Sequence, residues 1–527
     1  MSEQHGHNIH RGGACNNCRR RKIRCDGLRP VCGQCHNRPP RSGHPCLYEQ
    51  ETSPAYQTSA EMQRTIGRLR AKIDELEKSN GLPQDVLLRQ PYAPSASPVP
   101  EPPSNIRNSY INTFLNRFAS SAYFFLDAHH FAQGANQSPG HPHRPSSALL
   151  SCVYLWASVL SNSSPPSSVT SFTTDGPDAD TFLLATLEQL PGAINRLSSA
   201  PPGSQLRLLL ETIQTEVLLS FYYLHESLSV QGRYHAGAAA SLAIGAGFNK
   251  LGGRGHGPPS GSGGPPFIFA QPTQLGGSPA MEGASIAAFW ATVIINNVWA
   301  AAQGGPAPIS SYGTEVDAPW PGGQQGGSTI KRFLNGQDVD GHSPIALLAK
   351  ASTLVERIAA LTSGGQVDSQ TYTTLDQRLH AFQAALPHPQ GSEESIRITH
   401  LLADLAIIRL HLPHAQGHAG VRGARQKAMA AADRIALLAR EIAGLGETTV
   451  DPVLGPACSA AHSACTLEMS ALRAGPPTMA QQYHAVEQRV EGLVRLMTRL
   501  ADISPIMRQC LGSVMTQTGH GHPPGYR

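Results

Sequence analysis

Six cysteines crowd into residues 15–46 with the spacing Cys15-x2-Cys18-x6-Cys25-x6-Cys32-x2-Cys35-x10-Cys46. Hardly any hydrophobic side chain accompanies them, so an apolar core is excluded as the source of this segment's stability. Two C-x2-C pairs, each followed by a single cysteine, make two similar halves. Four cysteines complete one tetrahedral zinc site, and six are too few for two separate ones. Two ions fit the count only where two thiolates are shared, which gives each ion four sulfurs. Zinc suits such a role because it has no redox chemistry and no d-electron geometric preference. Its binding energy then becomes most of the folding energy of the segment.

A disulfide framework would also use clustered cysteines, but it belongs to secreted chains. The polar start MSEQHGHNIH lacks the apolar core of a signal peptide. A reducing compartment is therefore expected, where clustered cysteines bind metal rather than each other. Charge adds a second constraint. From Arg11 to Tyr48 there are nine Lys/Arg and one acidic residue, Asp26, which leaves 32 basic and 36 acidic residues elsewhere. A basic head on a mildly acidic body of this kind is suited to meeting a polyanion. Five of the six residues between Cys18 and Cys25, RRRKIR, are cationic.

At 527 residues the chain exceeds one compact core, so several domains are expected. Residues 1–14, with His5, His7 and His10, read as a disordered start, and 15–48 as the cysteine domain. In 61–80, Met62, Ile66, Leu69, Ile73 and Leu76 alternate at four- and three-residue steps, a d-a-d-a-d pattern. Lys72 at g and the following Glu77 at e can pair between parallel chains. Periodicity alone fits equally a single amphipathic helix packed on its own protein; the adjacent module favours a homodimer. Residues 81–104 hold seven prolines and read as a disordered spacer. Helical periodicity then dominates 105–515, interrupted by a Gly/Pro-rich disordered loop at 252–280 and followed by a disordered tail at 516–527. The main helices are expected at 106–127, 146–161, 179–198, 205–225, 229–250, 283–303, 343–362, 369–386, 393–412, 420–444, 457–473 and 478–502. The fold class is all-α, with no repeat of 30–45 residues. Ser285–Gln303 is apolar enough to suggest a membrane span, but Asn296 and Asn297 near its centre favour a buried soluble helix. No membrane partner is expected.

The stretch ACNNCRRRKIRCDGLRPVCGQC resembles the fungal Zn2Cys6 binuclear-cluster family at almost every position. That resemblance implies two zinc ions per chain. Cys15, Cys18, Cys25 and Cys32 hold one, while Cys32, Cys35, Cys46 and Cys15 hold the other, so Cys15 and Cys32 bridge. It places Pro30 at the loop proline that turns the chain between the halves. It assigns Lys22 to the bases of a CGG-type triplet in the major groove of double-stranded DNA. Arg19, Arg21 and Arg24 become phosphate or flanking contacts, with Arg20 in the same DNA-facing set. The ten residues between Cys35 and Cys46 exceed the family's usual six to eight, and His36 and His44 in that insert are alternative ligands for the second ion. The segments SALLSCVYLWASVLS, ETIQTEVLLSFYYLHESLSVQGRYHAGAAASLAIGAGFNKLG and EGASIAAFWATVIINNVWAAAQGGPAPIS resemble, across 106–325, the middle regulatory region of such regulators.

The resemblance implies a nuclear RNA polymerase II regulator that engages transcription machinery or co-regulators. Its alternative is a zinc-dependent interaction protein whose helical body recruits partners. No enzyme motif (GxSxG, P-loop, HExxH or strand-linked GxGxxG) appears between 104 and 527, so a non-enzyme is expected. Cys458, His462 and Cys465 share one helix face with Ala461, Met469 and Leu472, which favours a packed core over a ligand set.

Overall fold

A computed structural model describes residues 14–37, 46–48, 101–162, 178–251, 279–304, 307, 315–324, 326–363, 368–416, 421–445 and 450–517. The expected dimerisation helix at 61–80, most of the 252–280 loop and the end of the tail lie outside these residues. The chain divides into two units, residues 1–94 and 95–527. Among the described residues both contain helices and no strand, and the fold is all-α.

The first unit carries two short helices, α1 (Asn16–Arg20) and α2 (Gly33–Asn37). The second begins with α3 (Ser104–Phe118), α4 (Ala128–Ala135), α5 (Ser147–Asn162), α6 (Ala179–Leu197), α7 (Pro202–His225), α8 (Ser229–Gly245) and α9 (Pro279–Gln303). It continues with α10 (Thr329–Leu334), α11 (Pro344–Ser363), α12 (Ser369–Ala384), α13 (Glu394–His411), α14 (Val421–Gly444), α15 (Leu454–Arg473), α16 (Ala480–Leu500) and α17 (Pro505–Gln517). Helix starts follow local chemistry. The carboxylates of Asp127, Asp178 and Asp368 accept hydrogen bonds from the amides of His130 (2.7 Å), Thr181 (2.9 Å) and Thr371 (2.9 Å), which satisfies donors the first turn leaves open. Pro201 and Pro202 start α7, where a missing N–H costs nothing.

One apolar core runs through the second unit, with Trp156, Trp290 and Trp320 among its largest buried side chains. Around Trp156 it is aromatic: Phe118 meets it edge-on at 4.9 Å and Phe221 stacks on it at 5.3 Å. Trp320 of the Pro-Trp-Pro segment stacks on Trp290 at 4.3 Å, and the Trp290 indole N–H donates to the Pro319 carbonyl (2.6 Å). Beneath this pair, buried Lys350 donates to the Asp340 carbonyl (2.7 Å) and pairs with Asp338 (2.7 Å), which Arg378 also holds (2.6 Å). The buried cation is therefore compensated, as a desolvated charge must be.

α9 is long and apolar enough to cross a bilayer, yet its most apolar stretch is 83% buried inside the body. Its asparagine amide nitrogens are paired there: Asn296 donates to the Ala236 carbonyl (3.0 Å) and Asn297 to the Ser352 hydroxyl of α11 (3.2 Å). α8 and α9 approach closely at Gly232, where a Cβ would lie 2.0 Å from Trp299 Cζ2. The Trp299 N–H in turn donates to Ser220 Oγ (2.8 Å), and Ser220 Oγ donates to the Gly232 carbonyl (2.8 Å). This small-residue crossing explains the low side-chain volume of α8.

Several boundaries differ from the periodicity. The helix expected over 106–127 stops at Phe118. Gln214 of α7 donates to the Tyr123 carbonyl (2.8 Å) and accepts from the Phe125 amide (2.9 Å), drawing that segment out of helical pairing. The helix expected over 229–250 ends at Gly245. Gly247 takes φ +76° and a single turn, Phe248–Lys250, follows. The Asn249 carbonyl there accepts from the amides of Asp317 (2.7 Å) and Ala318 (3.0 Å). Helices α4, α10 and α17 were not expected, and α9 begins four residues earlier than its period suggests.

Gly232→Ala is expected to destabilise the protein by about 1–3 kcal/mol through overpacking against Trp299. Gly237→Ala, with open space around its Cβ on the same helix, is expected to stabilise by about 0.5–1 kcal/mol. Chemical denaturation of the two variants checks the opposite signs.

Candidate metal centre and nucleic-acid interface

The geometry of the first unit follows from where its helices start. α1 begins directly after Cys15 and α2 directly after Cys32, so each C-x2-C pair occupies the first turn of a helix. The Cys18 amide donates to Cys15 Sγ (3.4 Å), and the amides of Cys35 and His36 donate to the Cys32 carbonyl (both 2.9 Å). The two halves are thus structurally alike, as their spacing implies. The ends close together through the Asn16 amide and the Leu47 carbonyl (2.8 Å).

The sulfurs converge. Cys15 Sγ lies 3.7 Å from Cys32 Sγ and 3.8 Å from Cys35 Sγ, and Cys18 Sγ lies 3.6 Å from Cys32 Sγ. Four thiolates around a tetrahedral zinc at 2.3 Å are spaced about 3.8 Å apart, so these distances are those of a metal cage and well beyond a disulfide bond. Cys15, Cys18, Cys32 and Cys35 form one mutually close set; Cys25 joins Cys32 on one side, and the Cys32 amide donates to Cys46 Sγ (3.4 Å) on the other. All six sequence-nominated ligands are therefore brought together, and all six are free of disulfides. Cys15 and Cys32 sit at the middle of the set.

Electrostatics make the same demand. Burial raises the Cys15 thiol, but the Cys18 amide and neighbouring sulfurs outweigh this and bring it down to about 6. Burial pushes Cys18 up to about 12, and it raises Cys32 and Cys46 as well. Sulfur atoms this close cannot all ionise without a cation among them, and the donor set fits zinc. Zinc bound here would be held by these thiolates and would supply structural cross-linking, with no open position for catalysis.

Among the described residues of this unit, the buried apolar cluster is five of the cysteines and Tyr48, whereas Leu28 is 60% exposed. Tyr48 carries a role the spacing alone does not announce. Its hydroxyl donates to the Leu28 carbonyl (2.8 Å) and Arg29 lies over its ring at 4.7 Å, so it ties the loop between the halves to the end of the domain. Tyr48 is the one aromatic residue of 15–48, which was the available signal. Asp26 is the second such residue. Its carboxylate accepts from the Leu28 amide (3.2 Å) and the Gly33 amide (2.8 Å), fastening the loop to the start of α2. A Cβ on Gly33 would meet Asp26 Oδ2 at 2.4 Å.

The basic run does not lie wholly on a helix. Arg19 and Arg20 are the last residues of α1, Arg21 caps it, and Lys22 takes φ +51°. The Lys22 amide donates to the Arg19 carbonyl (3.2 Å) and the Ile23 amide to the Cys18 carbonyl (3.1 Å), the paired bonds of a Schellman cap. The chain must turn at this point because Cys25 has to return to the sulfurs. Arg19, Arg20, Arg21, Lys22 and Arg24 are all exposed.

Residues 13–54 match the fungal Zn(2)-Cys(6) binuclear cluster domain. No curated protein matches the chain. The zinc-cluster domain is that of fungal DNA-binding transcription factors, which are not enzymes, and its six cysteines bind zinc. In the second unit, Cys458, His462 and Cys465 are buried in α15. Among the described residues they do not bring three ligand atoms together. Burial raises both thiols to about 12, the behaviour of core cysteines.

Gly33→Ala is expected to displace Asp26 and loosen the loop without removing a sulfur. The full chain should then release zinc to a colorimetric chelator at least several-fold faster than wild type, while Gly237→Ala releases it unchanged.

Proposed function

We propose that this protein is a nuclear, sequence-specific DNA-binding regulator of RNA polymerase II transcription that reads a CGG-type triplet through Lys22. The observation that carries the reading is the exposed cationic strip Arg19–Arg24 mounted on a sulfur cage of zinc dimensions. Lys22 occupies the crest of the turn after α1, where a long side chain can reach base edges in a major groove. Arg19, Arg20, Arg21 and Arg24 flank it and suit phosphate contacts, which position the module without reading sequence. Two zinc ions bridged by Cys15 and Cys32 account for six thiolates and four sulfurs per ion. Met62, Ile66, Leu69, Ile73 and Leu76 form the seam of a homodimer that sets half-site spacing. The helical body then acts as the regulatory region that meets transcription machinery or co-regulators.

Lys22→Ala should cost about 1–3 kcal/mol of discrimination between matched and triplet-scrambled DNA. Equal loss on both duplexes would contradict base reading. Arg24→Ala should instead weaken both alike and lower the salt slope by about one unit. A DNA affinity that is flat against salt would point to the interaction-protein alternative. Deleting 61–80 should convert cooperative two-site binding into weaker one-site binding, with the halved mass visible in sedimentation. Metal analysis should return two zinc ions per chain, both lost on Cys15→Ser.

A further inference from the structure

The second unit contains a cavity of about 420 Å³ where α9, α13, α15 and α17 meet the turn after α7. Its wall is mixed: Ser459 and Ser463 of α15, Gln509 and Ser513 of α17 and Gln303 of α9 alternate with apolar side chains that include Trp299 and Ile506. No acidic side chain lines it, and Arg409 is its one charged group. Arg409 donates to the Ala300 carbonyl (3.3 Å) and to the Ala301 carbonyl, two bonds from a guanidinium that has five N–H groups. Unlike Lys350, which has Asp338, Arg409 has no carboxylate partner among the described residues. Burial alone lowers it, to about 10. Arg233, outside the lining, donates to Gln303 Oε1 (3.3 Å). Ser227, whose hydroxyl donates to Gln509, is held at φ +62°, a backbone state that non-glycine residues adopt only when surrounding structure imposes it.

We infer that this cavity is a binding site for a small organic carboxylate with a polar body, held by the free edge of the Arg409 guanidinium. One cation in the chamber suits a single negative charge, and a planar fork suits a carboxylate in bidentate contact. The Ser463 and Ser513 hydroxyls, which donate to the Ser459 (3.0 Å) and Gln509 (3.2 Å) carbonyls, keep oxygen lone pairs to accept, and the Ser459 hydroxyl and the glutamine amide nitrogens supply donors for hydroxyl or amide groups on the rest of the ligand. The volume lies within the range of small-molecule pockets. A competing account makes Arg409 only a cap for the carbonyls ending α9, and it predicts no ligand. An occupied site would bridge α9 to α13, α15 and α17.

The test is thermal unfolding and calorimetric titration of the zinc-loaded full chain with acetate, succinate and gluconate, at constant ionic strength, with acetamide as the uncharged control. At least one carboxylate is expected to raise the melting temperature saturably while acetamide does not. Arg409→Gln should weaken that carboxylate by about tenfold or more, the loss of a charge-assisted bond pair, and Arg409→Lys should retain part of the response. Ser459→Leu leaves the carbonyl contacts of Arg409 intact and fills the chamber, so it should abolish the response without lowering the unliganded melting temperature. If Arg409→Gln does not fold, Ser459→Leu decides alone. No response from any of the three carboxylates, or equal responses in wild type and Ser459→Leu, would overturn the inference.

Discussion

The helical body is organised by a row of buried polar side chains on α7, each of which must find a partner because none can reach water. Glu211 accepts from the Ser146 amide (2.8 Å) at the start of α5, and Gln214 holds the segment after α3. Glu216 meets His235 Nδ1 of α8 (2.6 Å), and Ser220 takes the Trp299 indole of α9. One helix thereby fixes the position of four neighbours through groups that hydrophobic burial alone would leave interchangeable. Apolar packing supplies the larger share of the stabilisation, at about 25 cal/mol per Å² buried. The polar row decides which packing is adopted, since any alternative strands a desolvated amide or carboxylate.

The first unit solves a different problem. Among its described residues, the buried apolar cluster consists of five cysteines and Tyr48. Its helices are each 5 residues long and would not persist alone. Cys15 and Cys32, directly before their starts, bring them to a common centre, with their sulfurs 3.7 Å apart. Asp26, Gly33 and Tyr48 then fix the loop that joins the halves, so a metal cage becomes a defined surface carrying the basic strip.

Legibility from sequence tracked the range of the interaction. The cysteine cluster was readable because metal coordination demands residue types at fixed short spacings, and the sulfurs of Cys15, Cys18, Cys32 and Cys35 lie close together. The all-α class was readable because the 3.6-residue period is local. Asp26 and Tyr48 were not assigned roles, since their partners Gly33 and Leu28 are chosen by the folded loop. The end of α3 was missed because Gln214, nearly a hundred positions away in the chain, decides it. Arg409 carried no sequence signal, because an arginine on an apolar helix face says nothing about which carboxylates the fold leaves out of reach.

The left-handed turn at Lys22 constrains what can be substituted there, whatever the side chain touches. Glycine and asparagine occupy such a backbone state readily, whereas a lysine there carries about 1–2 kcal/mol of conformational cost. A library of substitutions at position 22 would therefore vary two quantities at once, the reach of the side chain and the ease of the turn that returns Cys25 to the metal. Valine, isoleucine and threonine would be poorly tolerated for reasons unrelated to DNA. Substitutions at Arg24 or in the flanking arginines, where the backbone is ordinary, would escape this coupling, but on the proposed phosphate role they would tune affinity and leave the sequence read unchanged.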